Sequence, residues 1–170
     1  MDFFNLTGKT ALVTGGNGGL GLGMAQGLAN YGCEVILVGR NKKKLTDSVA
    51  LINENHQGKA HQLLADVNLY EDLERIVYEG IKITGTIDIL VNNAGISIRK
   101  QPQDLSDDDW DQVLNTNLKS VFRLSKLMYS HFETIGHGKI INIGSMYSIF
   151  GSDWVVPYSA SKGAVIQLTK

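Results

Sequence analysis

Five short, continuous apolar runs, each separated from the next by helical spacing, constrain this chain most. They are Thr10–Thr14, Glu34–Val38, Ala60–Ala65, Ile87–Val91 and Lys139–Ile143. A strand with one wet face alternates apolar and polar residues; TALVT, EVILV, IDILV and KIINI do not, so both faces must be covered. Between these runs, apolar residues recur every three or four positions. Leu20, Met24, Ala25 and Leu28 mark a helix over 19–31. Leu45, Val49 and Ile52 mark one over 42–54, and Leu73, Ile76, Val77 and Ile81 mark one over 69–83. Asn41 and Asn68 suit the N-caps of the second and third helices. A long helix is expected from Ser106, with Asp107, Asp108 and Asp109 in its first turn, where the helix dipole favours anions. Its inward stripe runs from Trp110 through Val113, Leu114, Leu118, Val121 and Leu124 to Met128, and a last helix starts near Pro157. Regular alternation of strand and helix predicts one α/β domain: a doubly wound parallel sheet in three layers.

Composition supports a packed core, with 43% apolar and 19% charged residues among 170. A net charge of −1 without a basic stripe argues against a nucleic-acid binder, which needs clustered phosphate-neutralising cations. No stretch reaches the apolar length of a membrane span, and Met1–Leu6 lacks the marks of a signal peptide. The single cysteine, Cys33, excludes an intrachain disulfide and points to a reducing, cytoplasmic setting. It lies between Gly32 and the run Val35–Val38, the place of a small buried hydrophobe. His56, His61, His131 and His137 are scattered without ligand-spaced partners, so no metal site is expected.

The first strand runs into Thr14-Gly15-Gly16-Asn17-Gly18-Gly19-Leu20-Gly21. Glycines let the chain turn tightly and let a diphosphate approach a helix N-terminus. A turn of this kind after the first strand and before the first helix is where a dinucleotide site belongs, with Gly15, Asn17, Gly19, Leu20 and Gly21 against the cofactor. At the end of the second strand an acidic residue would accept the ribose hydroxyls of NAD. Arg40 stands there instead, followed by Lys42, Lys43 and Lys44. A guanidinium matches a 2′-phosphate, which favours NADP over NAD. The same residues also read as the solvated basic start of a helix.

These residues, and those that follow, resemble the short-chain dehydrogenase/reductase family in its common form. The likeness covers Leu6 to Lys170. Thr14-Gly15-xxx-Gly19-x-Gly21 is similar to the family's glycine loop. Asp66, with Val67 after it, resembles its adenine-contacting aspartate, and Asn92-Asn93-Ala94-Gly95 its NNAG motif. Asn117 sits where the family keeps a catalytic asparagine, and Ser145 with Tyr158-x-x-x-Lys162 resembles its serine and YxxxK signature. The likeness implies a Rossmann-like fold and hydride transfer between a nicotinamide cofactor and an alcohol or ketone. Asn117, Ser145, Tyr158 and Lys162 would be catalytic. Asp66, Val67, Asn93, Ala94, Gly95, Tyr158 and Lys162 would meet the cofactor.

The chemistry of the residues agrees. Oxidising an alcohol requires a base for its proton. A free tyrosine, with a pKa of about 10, needs help at neutral pH, and a nearby ammonium favours the phenolate. Tyr158 and Lys162 are four apart on an expected helix and so share a face, whereas Tyr147 lies outside it. Taken singly, a Tyr–Lys pair at this spacing is a common surface pair. Asn117 on an apolar face reads as a satisfied core amide, and Asp66 equally as the start of a helix cap. Ser148, Ser152, Ser159 and Ser161 read as loop or helix-start hydroxyls. Trp110 and Trp154 read as packing residues, Trp154 being near enough to Tyr158 to line a substrate pocket.

The phrases Lys139-Ile-Ile-Asn-Ile-Gly-Ser-Met-Tyr-Ser and Leu6-Thr-Gly-Lys-Thr-Ala-Leu-Val-Thr-Gly look most like gluconate or deoxygluconate dehydrogenases, and also like 3-oxoacyl-carrier-protein reductases. A sugar acid is therefore the expected substrate class. Arg99 and Lys100 would meet its carboxylate or stand as exposed loop charges. The family likeness implies a homodimer or homotetramer. It also implies strands beyond the fifth, so residues 1–170 are expected to be one domain incomplete at its C-terminus, with the fifth strand an unpaired apolar edge. The alternative expectation is an inactive dinucleotide-binding module acting as sensor or scaffold.

Overall fold

The computed structural model describes residues 4–170. β1 (Thr10–Thr14) is buried along its whole length and lies at the centre of a parallel sheet. Its neighbours are β2 (Glu34–Gly39) and β4 (Ile89–Asn92); β3 (Ala60–Leu64) pairs beyond β2, and β5 (Lys139–Asn142) beyond β4. The spatial order is β3-β2-β1-β4-β5. Val13 faces Leu37 on one side and Val91 on the other, so the carboxyl ends of the central strands come level. β4 starts later than the run Ile87–Val91 suggests. The Asp88 carboxylate, not a strand carbonyl, accepts the Thr10 N–H at 2.9 Å.

Successive strand residues face opposite layers, as strand geometry requires. Ala11, Val13, Val35 and Leu37 pack with Ala25 and Ala29 of α1 (Gly19–Asn30) and Leu45 and Ile52 of α2 (Lys42–Asn55). Leu12, Ile36 and Leu90 pack with Leu73 and Ile76 of α3 (Tyr70–Thr84) and Leu124, Met128 and Phe132 of α5 (Ser120–Ile135). The result is the expected Rossmann-like, three-layer architecture. Full burial of each such Leu or Ile contributes about 1.5–3 kcal/mol. Among the described residues β5 pairs only with β4, and its Ile140 and Ile141 are 37% and 45% exposed.

Several local expectations change. The inward face of α1 is Gly21, Ala25 and Ala29, while Leu20 is 78% exposed. Small residues four apart let the helix lie close to the sheet, and that contact outweighs burial of the leucine. Asn41 does cap α2, its Oδ1 accepting from Lys44 N at 3.0 Å. Asn68 does not cap α3: Leu69 holds that place, and the Asn68 side chain is bonded to Asp66. The long helix from Ser106 is not continuous. Ser106 and Asp109 form a capping box at the start of α4 (Asp107–Leu114), which passes into a π turn, Asn115–Lys119, before α5. Trp110, at the start of the expected stripe, is 40% exposed, while Val113, Val121, Leu124 and Met128 of that stripe are buried, with Phe132 beyond them. α6 (Val156–Thr169) packs against α4 and the π turn and buries Ser161, Lys162 and Val165. Among the described residues no helix is long and apolar enough to cross a membrane.

Candidate active site

Strand order reverses between β1 and β4, and a crevice opens beyond the carboxyl ends at such a point. A cleft of about 590 Å³ lies there. Gly15, Asn17, Gly19, Leu20, Gly21, Arg40, Asp66, Val67, Asn93, Ala94 and Gly95 all line it. Its floor is stitched by side chains on two loops. Thr14 Oγ1 accepts from the backbone N–H groups of Asn93 and Ala94 at 3.0 and 3.1 Å, and Asn93 Nδ2 donates to the Thr14 and Gly15 carbonyls at 3.0 and 3.3 Å. A Cβ on Gly21 would meet the Gly15 carbonyl oxygen and stand 2.5 Å from Asn93 Nδ2. Gly15 has φ +65°, a conformation that favours glycine. Among the described residues no side chain caps the first turn of α1, and its residues Gly19, Leu20 and Gly21 line the cleft. A cradle that any side chain would fill, with helix N–H groups behind it, fits a diphosphate.

The far end of the cleft holds Arg40 and Asp66. The guanidinium, 64% exposed, stands 3.4 Å from Asp66 Oδ2. Asp66 is no helix cap; its Oδ1 accepts from Asn68 N and Nδ2 at 3.0 and 2.8 Å. Asn41, Lys44, Asn68 and Thr116 also line this end, although none was singled out as a binding residue in the sequence. Lys44 is the one with a visible signal: it follows Arg40 in the same basic run. Thr116 and Asn68 carry none, because their roles arise from contacts across the fold.

None of the four residues expected to be catalytic, Tyr158 and Lys162 included, is among the residues that line this cleft; they lie beyond it on the π turn, the turn after β5 and α6, joined to its wall through Ile96. Asn117 is 1% exposed, and its Oδ1 accepts from Ile96 N at 2.8 Å. Its Nδ2 donates to Ile96 O at 2.9 Å and to Ser161 Oγ at 3.1 Å. Ser161, read as an ordinary helix-start hydroxyl, is fully buried and donates to Tyr158 O at 2.7 Å. It thereby joins the π turn to the helix that carries Tyr158. Ser145 leads a short 3-10 turn, Met146–Ser148, and its Oγ accepts from Tyr147 N at 3.2 Å. Ser148 is also more than a loop hydroxyl: it accepts from Ser145 N at 3.0 Å and donates to Lys162 O at 2.9 Å. The Tyr147 and Tyr158 rings meet edge-on, with centroids 6.1 Å apart. Lys162 Nζ lies 5.7 Å from the Tyr158 ring centroid. Burial holds the Lys162 pKa below the ordinary lysine value, because the charged form loses water.

Beside this corner, the Arg99 guanidinium lies over the Trp154 ring at 5.1 Å. Lys100 is not a free loop charge. Its N–H donates to Trp154 O at 3.1 Å, and its ammonium pairs with Asp109 at 2.6 Å. That ammonium, with the Ser106 bonds, pulls the Asp109 carboxyl down to about 2.

Against this geometry stand the likenesses to known proteins. The pattern of the family described as short chain dehydrogenase matches residues 9–170. Gluconate 5-dehydrogenase of Gluconobacter oxydans is 42% identical over 173 residues, covering 99% of this chain and 66% of that enzyme. 2-Dehydro-3-deoxy-D-gluconate 5-dehydrogenase of Dickeya dadantii is 41% identical over 172 residues, covering all of this chain and again 66% of the other. The chain thus spans just under two thirds of the length of these relatives. The crystal structure of an NAD⁺-bound xylitol dehydrogenase superposes with a TM-score of 0.92 at 33% identity, over 96% of this chain and 63% of that one.

Proposed function

The chain belongs to the short-chain dehydrogenase family, and from that premise we propose that it serves hydride transfer between a nicotinamide cofactor, NADP by preference, and an alcohol or ketone of the sugar-acid class, with Tyr158 as acid/base. One observation carries the reading: Asn117 bonds at once to Ile96, on the cleft wall, and to Ser161, on the helix of Tyr158 and Lys162. That link supports reading the diphosphate cradle and the Tyr158 corner as parts of one site.

When bound, the nicotinamide supplies the hydride acceptor or donor. The rest is done by this chain's own residues. Tyr158 exchanges a proton with the substrate oxygen, and Ser145 hydrogen-bonds that oxygen and orients it. Lys162 holds a positive charge beside the phenol, which favours the phenolate, and contributes to the nicotinamide ribose site. Asn117 fixes the π turn and keeps a lone pair on Oδ1 for a water in a proton relay. Gly15, Asn17, Gly19, Leu20 and Gly21 receive the diphosphate; Asp66, Val67, Asn93, Ala94 and Gly95 frame the adenosine and the adjoining ribose. Arg40, loosely held at 3.4 Å from Asp66, is free to turn its guanidinium to a 2′-phosphate. The NAD⁺ of the xylitol dehydrogenase structure keeps NAD as the competing cofactor, and Arg40 is what favours NADP.

The sugar-acid class rests on the names of the two relatives. A homodimer or homotetramer is supported by the apolar hollow of about 410 Å³ between Leu114, Leu118, Phe122 and Leu168, in which Phe122 is 52% exposed. The buried free thiol of Cys33 supports a cytoplasmic setting. Calorimetric titration with NADPH and NADH, followed by NADPH oxidation on a panel of keto-sugar acids, tests the proposal. Tight NADPH binding with weaker NADH binding and turnover on a keto-gluconate is expected. Cofactor binding without turnover on any alcohol or ketone would favour a sensor or scaffold; binding of neither cofactor by folded protein would remove the reading.

A further inference from the structure

We propose that Asn68 and Thr116 are positioning residues that couple occupancy of the adenosine end of the cleft to the π turn holding Asn117. The inference rests on the dinucleotide reading above. Its basis is a gapless run of polar contacts. Arg40 reaches Asp66 Oδ2 at 3.4 Å. Asp66 Oδ1 accepts twice from Asn68, and Asn68 Oδ1 accepts from Thr116 Oγ1 at 2.9 Å. Thr116 is the second residue of the π turn and Asn117 the third. Asn68 and Thr116 both line the cleft. The orientation of the Asn68 amide is imposed from the cleft side. Its Nδ2 is spent on the carboxylate, so its carbonyl is turned to Thr116.

Thr116 has one hydroxyl proton and two acceptors in range. Asn68 Oδ1 and the Gln112 carbonyl both lie at 2.9 Å. The first bond reaches out to the cleft; the second folds back on α4. At 6% exposure the hydroxyl has little water to turn to, so a bond lost on one side is made up on the other. The balance is set by Asn68, which follows the Asp66 carboxylate. The long Arg40–Asp66 contact is the first to yield when a nucleotide draws on either group. A shift there moves Asn68, reweights the two Thr116 bonds, and settles the turn on which Asn117 holds Ile96 and Ser161. Binding energy from the adenosine half, remote from the hydride, is thereby used to position the catalytic corner.

The test uses 2′,5′-ADP as a half-cofactor that cannot react. Amide hydrogen exchange over residues 115–120 is measured with and without saturating 2′,5′-ADP, saturation being set for each protein by calorimetry. The parent and Thr116→Ser, which keeps the hydroxyl, are expected to exchange about fivefold or more slowly when saturated. In Thr116→Val and in Asn68→Ala the nucleotide-dependent slowing is expected to vanish. Undiminished slowing in a folded Thr116→Val overturns the proposal. Should Thr116→Val not fold, Asn68→Ala decides in the same way. 2′,5′-ADP binding without slowing in the parent overturns the coupling alone; absence of 2′,5′-ADP binding to folded protein overturns the NADP reading and the coupling that rests on it.

Discussion

Lys162 donates its ammonium to the Ile143 carbonyl oxygen at 2.6 Å, and this bond ties the Tyr158 helix to the end of β5. At 5% exposure the ammonium has few other partners. Its place therefore depends on the strand end, and the charge beside Tyr158 depends on its place. Tyr158→Phe keeps the ring and its edge contact with Tyr147 and removes only the hydroxyl. Turnover is expected to fall by about 10²–10⁴-fold, the range of a lost acid/base, with NADPH affinity nearly unchanged. Steady-state rates beside calorimetric Kd values check this, and equal turnover in variant and parent would remove Tyr158 from the role.

Arg40→Ala separates the two cofactors. A charge-assisted bond to a 2′-phosphate is worth about 1.5–3 kcal/mol, so NADPH affinity is expected to drop roughly 10–100-fold. NADH, without that phosphate, is expected to change by less than about threefold. Parallel titrations decide it; equal losses for both cofactors would return Arg40 to an ordinary solvated helix start.

Gly21→Ala tests the cradle. The added methyl meets the Gly15 carbonyl, which is backbone and not a flexible side-chain end. The loop must move, at a cost of about 1–3 kcal/mol. A lowered Tm together with weakened binding of both NADPH and NADH is expected. Unchanged binding would mean that the diphosphate does not approach this turn.

Asp88 tests a site at the opposite end of the sheet. Burial pushes its carboxyl up, but hydrogen bonds from Lys9, the Thr10 N–H and His137 together outweigh this and hold the pKa below the usual aspartate value. A depressed folded pKa contributes stability that is present above the unfolded value of about 3.9 and is lost as pH falls through the folded value. Asp88→Asn is therefore expected to cost about 1–3 kcal/mol at pH 7, with the gap to the parent closing below about pH 4. Denaturant unfolding at pH 7 and at pH 3 measures both ends.

Cys33 is fully buried, and burial, with the nearby Asp88 charge, pushes its thiol pKa up to about 12. The thiolate is the reactive form. A thiol reagent at pH 8 is expected to leave the native protein unlabelled and to modify Cys33 only as fast as the protein unfolds. Rapid labelling without loss of structure would contradict the packing around β2.

Much of this was legible along the chain. TALVT and EVILV read as doubly covered strands because neighbouring residues alone set that pattern. The glycine turn read as a cradle because its residues are contiguous, and Tyr158 and Lys162 read as partners because four residues on a helix place them on one face. Other readings failed where a local rule met a distant competitor. Asn68 has the chemistry of an N-cap, but Asp66 and Thr116 claim its amide. Trp110 has the spacing of a core residue, but it stands 40% exposed on α4 while Val113, one turn on, is buried.

The sequence by itself determined the alternation of strand and helix, the glycine cradle and the Tyr158–Lys162 spacing, since each depends on backbone preferences and side chains a few residues apart. Only the tertiary structure decided that Arg40 meets Asp66 across 26 residues, that Asn117 meets Ser161 across 44, and that Thr116 meets Asn68 across 48. A buried polar group must find a partner, and which partner shares its burial place is settled by the packing of layers, not by the order of residues along the chain.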